Sequence, residues 1–150
     1  MLDQEFEEII GDQSKQIVVD IDWVEDEDHS PTLEFRADVI SDEKYPLFIK
    51  GSYNPLINAL TYALIHRNYG RIYALDMGKD HHNPSCNNVG EKHMHRWQQS
   101  MRDKDAYNPS EITANASDPV AVWKQFCTQA KITHSGKMSS PPPIQWKLEI

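Results

Sequence analysis

Two stretches near the start of the chain repeat with a period of two. In QIVVDIDWVE, residues 16–25, Ile17, Val19, Ile21 and Trp23 alternate with Val18, Asp20, Asp22 and Val24. In TLEFRADVI, residues 32–40, Leu33, Phe35, Ala37 and Val39 alternate with Glu34, Arg36 and Asp38. A period of two sends one set to each face of a β-strand, whereas a helix would spread both sets around its axis. Strands with one dry and one wet face are therefore the framework. The acidic EDEDHSP between them reads as the solvated turn of an antiparallel hairpin.

Further elements follow from the same patterning. YPLFIKG, residues 45–51, reads as a third strand, with Pro46 where a strand tolerates proline. LDQEFEEII, residues 2–10, places Leu2, Phe6, Ile9 and Ile10 on one helical face, and Gly11 ends it. NPLINALTYALIHRNYG, residues 54–70, is predicted as a helix capped by Asn54, with Pro55 in its first turn, a stripe of Leu56, Ile57, Leu60, Ala63 and Leu64, and Gly70 after its end. RIYALDM, residues 71–77, is a strand with Tyr73, Leu75 and Met77 on one side. SDPVAVWKQFCTQAKI, residues 117–132, is a second helix, capped by Asp118 or Ser117, with Trp123, Phe126, Cys127 and Ala130 as its apolar face. After the prolines at 141–143, the alternating Ile144, Trp146, Leu148 and Ile150 suggest a closing strand. The expectation is one α+β domain over residues 1–150, a mostly antiparallel sheet with helices packed on one face.

Composition narrows the classes of function. No apolar run approaches the ~18 residues of a membrane span, and the acidic start MLDQEFEEII lacks the features of a signal peptide, so a cytoplasmic protein without membrane partners is expected. Cys86 and Cys127 are too few and too far apart for a disulfide framework. A formal charge of −8, with scattered basic residues, opposes a large polyanion-binding surface.

The segment KDHHNPSCNNVGEKHMHRW, residues 79–97, holds four of the seven histidines. On a strand His93 and His95 point the same way and can share a metal, a phosphate or a proton; on a helix they lie about 200° apart and cannot. Gly90 and the turn-rich residues before it favour an extended segment over 92–97. Asp76 at a strand end, His81 and His82 just after it, and His95 returning after the loop would gather a carboxylate and imidazoles at one rim of the sheet. Paired histidines can serve as general base and general acid in phosphodiester cleavage, with Arg96 stabilising developing charge. A metal alternative uses His81 or His82, Cys86, His93 and His95, with Asp76 as ligand or as a supporting group, although the spacing matches no familiar zinc motif. Which metal or cofactor is involved stays open. Asp20, Asp22, Glu34 and Asp38 read as the wet face of the sheet, and His66 beside Arg67 as a charge pair at a helix C-terminus.

The order of Asp76, His81-His82-Asn83-Pro84 and His93-Met94-His95 within residues 70–97 resembles the TumE-like toxin family of bacterial toxin-antitoxin loci. That resemblance implies a compact α+β protein, a neutralising partner protein, histidine-dependent toxicity and an RNA target. Two expectations result. One is a toxin-like hydrolase, a ribonuclease or phosphodiesterase in which His82 and His95 share acid–base work, His81 and His93 assist, Asp76 orients an imidazole and Arg96 contacts phosphate. The other is a non-catalytic acidic binding protein of a phage or mobile element, covering a basic protein surface by charge complementarity.

Overall fold

The computed structural model describes residues 1–82 and 88–143, with the backbone alone for residues 79–82, 88 and 89. The chain opens with helix α1 (Asp3–Gly11), two short strands β1 (Gln16–Ile17) and β2 (Val24–Glu25), and a 3-10 turn at Glu27–His29. A run of longer strands follows: β3 (Leu33–Val39), β4 (Leu47–Asn54), β5 (Ala59–His66), β6 (Gly70–His82) and β7 (Asn88–Arg96). The short β8 (Ala106–Tyr107), helix α2 (Pro119–Ala130) and the short β9 (Thr133–His134) complete the described elements. Strands β2 to β8 form one seven-stranded antiparallel sheet in sequence order, and β1 pairs in parallel with β9. The fold is α+β. Among the described residues no helix is long and apolar enough to cross a membrane.

Registers assign the faces. Phe35 lies opposite Gly51, Gly51 opposite Tyr62, Tyr62 opposite Leu75 and Leu75 opposite Met94, so these residues share one face across five strands. Helix α2 packs there: Trp123 lies edge-on to Tyr62 at 5.1 Å between ring centroids, and Phe126 stands 5.8 Å from both Tyr62 and Tyr73. The buried Tyr62 hydroxyl donates to the carbonyl of Pro119 at 2.6 Å, joining the central strand to the first turn of the helix. Asp118 caps α2 by accepting from the Ala121 amide, with Pro119 just inside, as the sequence indicated. Helix α1 covers the same face farther along, where Arg96 stacks over Phe6 and pairs with Glu7. Its last carbonyls are met by the fully buried Lys15, whose ammonium donates to Ile9, Ile10 and Asp12.

The predicted helix over 54–70 is instead the end of β4, a turn at residues 55–58, and β5. Asn54 does accept from the amide two residues on, at Leu56, and Asn58 adopts a positive φ of 50°. The same Asn-Pro chemistry that starts a helix also starts a turn. β5 then hides the strand period because most of both its faces are covered, so ALTYALIH shows no clean alternation. Leu56 and Ile57, expected in an apolar stripe, are exposed at the turn. His66 ends a strand rather than a helix, and Arg67 pairs with Asp38 at 3.0 Å.

Residues 16–25 form no continuous strand. Gln16 bridges to Ile40, β1 pairs with β9, Ile21 bridges to Met138, and only Val24 and Glu25 join β3. The segment is extended but changes partner every few residues. Ile17, Ile21 and Trp23 are buried as the alternation indicated, while Val19 is exposed. The expected closing strand at 144–150 lies outside the described residues.

Candidate metal centre

The face opposite α2 holds the cluster. Thr61 on β5 lies across from Asp76 on β6, which lies across from His93 on β7, and Ala74 lies across from His95. Strand parity therefore turns Thr61, Asp76, His93 and His95 to one side, and the pairing of β7 realises the extended conformation expected for residues 92–97. His93 and His95 are each only 3% exposed, and the segment after β7 reaches His95 through the backbone carbonyl of Asp103.

Asp76 is the hub. Its Oδ2 stands 3.1 Å from Nε2 of His95, 3.5 Å from Nε2 of His93 and 3.5 Å from Nη1 of Arg71, while its Oδ1 accepts from the Thr61 hydroxyl at 2.6 Å. Burial alone would push this carboxyl up, but the contacts from His93, His95 and Thr61 and the charge of Arg71 outweigh it. They hold the group well below the usual carboxylate range. The centre is a fixed anion.

The opposite edges of the imidazoles decide what the cluster can do. His95 Nδ1 lies 2.6 Å from the carbonyl oxygen of Asp103, a distance that requires an N–H on that nitrogen, and His93 Nδ1 faces the carbonyl of Gly90 at 3.3 Å. Nε2 of each ring points at Asp76, donating to the carboxylate where no ion is bound, and with Nδ1 keeping its proton the same nitrogen would offer its lone pair to an ion that replaces that N–H. One nitrogen from each ring and one carboxylate oxygen lie within 4.8 Å of one another. A tetrahedral ion with bonds of about 2.0–2.1 Å needs ligand separations of roughly 3.4 Å. The two nitrogen-to-carboxylate distances straddle that figure. Backbone carbonyls that hold the outer N–H of a histidine are also the usual support of a metal-bound imidazole.

Arg71, at the start of β6, reaches Asp76 with Nη1 and bonds Asp103 through Nε. Asp103 thus acts twice, through its carboxylate on Arg71 and through its backbone carbonyl on His95.

Of the residues expected from the sequence, Asp76, His93 and His95 come together. Arg96 does not. It follows His95 on the same strand and so points to the other face, where Glu7 and Phe6 hold it. The phosphate-contacting role assigned to it is corrected, because its guanidinium lies on the helix-covered side. His81 and His82 continue β6 past two irregularities in its pairing with β7, with His81 opposite Gly90 and His82 opposite Asn88. Their side chains, together with Asn83, Pro84 and Cys86, lie outside the described residues. Cys127 is a core residue, its thiol pushed up to about 12 by burial.

The sequence reading missed Thr61, Arg71 and Asp103. Thr61 was hidden inside the misassigned helix; read as a strand, ALTYALIH would have placed it in the same sheet as Asp76. Arg71 begins a correctly assigned strand, but nothing in its neighbours marks it. Asp103 enters through an irregular segment with no periodic signal.

A protein-family model matches residues 1–132 and is described as a family of unknown function, DUF6978. The chain belongs to DUF6978. No curated protein and no solved structure matches it. The DUF6978 match takes in all of Asp76, His93, His95, Thr61, Arg71 and Asp103.

Proposed function

We propose that this chain is a metal-binding protein holding a divalent transition ion, with zinc the best fit, through Asp76, His93 and His95. The observation that carries the reading is the convergence of two Nε2 atoms on one carboxylate oxygen while both Nδ1 atoms face backbone carbonyls. Zinc accepts imidazole nitrogen and carboxylate oxygen in a tetrahedron, and three protein ligands leave the fourth position to water or a substrate oxygen. An ion so held lowers the pKa of its water and polarises a bound carbonyl or phosphoryl group, the chemistry of metal-assisted hydrolysis.

The toxin-like hydrolase expected from the sequence is narrowed by this reading. An acid–base pair of histidines needs a ring nitrogen turned to the substrate. In His93 and His95 one nitrogen faces a carbonyl and the other faces Asp76. Hydrolysis of the toxin-like kind would therefore run through the metal.

The test is titration of the purified full chain with cobalt(II) and zinc(II), following the cobalt visible bands and displacement by zinc. One equivalent bound by wild type, with binding weakened at least tenfold in folded Asp76→Asn and His95→Ala variants, is the expected result. Wild type that takes up no ion, or variants that bind as wild type does, would overturn the reading.

A further inference from the structure

Building on the metal reading, we infer that the centre binds an oxyanion of the phosphate class between the metal and Arg71. Three observations support this. First, the local charge becomes positive once the ion is present. A divalent ion and Arg71 bring three positive charges, against two negative ones from Asp76 and Asp103, and the two imidazoles are neutral as ligands. The surplus favours an anion at the fourth position over a neutral ligand.

Second, Arg71 is placed for that anion. Its side chain is 35% exposed while the imidazoles it adjoins are buried, so it stands at the edge of the cluster where a solute arrives. Nη1 lies 3.5 Å from the same Asp76 oxygen that faces both histidines. An oxygen bound to the ion at that side and a second oxygen of the same group can meet the metal and the guanidinium together. Guanidinium is planar and offers paired N–H groups that match phosphate oxygens.

Third, Arg71 is anchored by an atom that does not compete for the anion. Its Nε is taken by the Asp103 carboxylate, which fixes the plane of the group, and among the described residues nothing accepts from Nη2. The backbone carbonyl of Asp103 meanwhile holds His95. One residue therefore sets both a metal ligand and the anion-binding cation, and it keeps the guanidinium beside the metal rather than free to swing.

The experiment uses the cobalt(II)-loaded full chain titrated with inorganic phosphate, read by the visible cobalt bands. Wild type should show a saturable spectral change. In Arg71→Met the change should require at least tenfold more phosphate, while cobalt uptake stays within threefold of wild type; Arg71→Lys, which keeps the charge without the fork, should fall between them. If Arg71→Met does not fold, Arg71→Gln and Arg71→Lys supply the comparison. Cobalt bands that phosphate leaves unmoved, or that move equally in the arginine variants, would overturn the inference while leaving the metal reading intact. A chain that binds no cobalt would overturn the metal reading itself, and this inference with it.

Discussion

His95 Nε2 lies 3.1 Å from Asp76 Oδ2 while its Nδ1 donates to the carbonyl of Asp103 at 2.6 Å, so both edges of a buried ring are committed. An ion bound there stabilises the folded state by mass action, by about 2.7 kcal/mol when its free concentration is a hundred times the dissociation constant. For a domain of this size that corresponds to a rise in melting temperature on the order of 5–10 °C. Calorimetry of the zinc-loaded protein before and after chelation should show the rise and its loss. Asp76→Ala should melt at the same temperature with or without chelator.

Arg96 and His95 are neighbours in sequence on opposite faces of β7. Arg96→Ala should leave cobalt affinity unchanged and cost no more than about 1 kcal/mol, since its pair with Glu7 is solvent-exposed and its stem packs on Phe6. Urea unfolding beside a cobalt titration separates the two effects. A weakened metal site in this variant would mean that the strand faces are wrongly assigned.

The legible part of this molecule is the part with one wet face. β3 shows its alternation openly because Glu34, Arg36 and Asp38 stand opposite a dry side, and α2 announces itself with Asp118 and Pro119. The pairing of His93 with His95 was readable from parity, and the same parity, had it been applied to the next residue, would have put Arg96 on the other face. β5 was opaque because burial on both faces erases the period, and a buried strand then offers the same apolar run as a helix. With β5 went Thr61. The tie from Asp103 to His95 runs through a backbone carbonyl, which no side-chain pattern can reveal.

Lys15 gives a pH dependence with a definite sign. Burial pushes its ammonium down to about 8 from the 10.5 of an exposed lysine. Between those values the unfolded chain holds a proton that the folded chain has lost, so this group's contribution to stability rises with pH across the window and is flat below it. Subtracting Lys15→Met from wild type isolates the term. The difference in unfolding free energy should shift in favour of wild type by at most about 3 kcal/mol between pH 8 and pH 10. A difference that stays constant would contradict the burial of the charge.

Gly51 faces the ring of Phe35 across β3 and β4, and an added Cβ would fall within the edge of that ring. Phe35 cannot simply retreat, because Trp23 and Trp123 meet it edge-on at 5.0 and 5.7 Å. Gly51→Ala should cost about 1–3 kcal/mol in chemical denaturation. Combining it with Phe35→Leu should recover much of that loss, and a double-mutant cycle that closes with no coupling would show the two positions to be independent.

The parallel pairing of β1 with β9 has a consequence in time. The strands from β3 to β7 each lie beside their neighbour in sequence and can assemble as they leave the ribosome. Ile17, by contrast, receives hydrogen bonds from Ser135, 118 residues later. The cost of closing so long a loop falls due only at the end. Gln16 already bridges to Ile40, so what waits is one edge of β1: the Ile17 carbonyl gains its partners only when α2 and β9 have emerged.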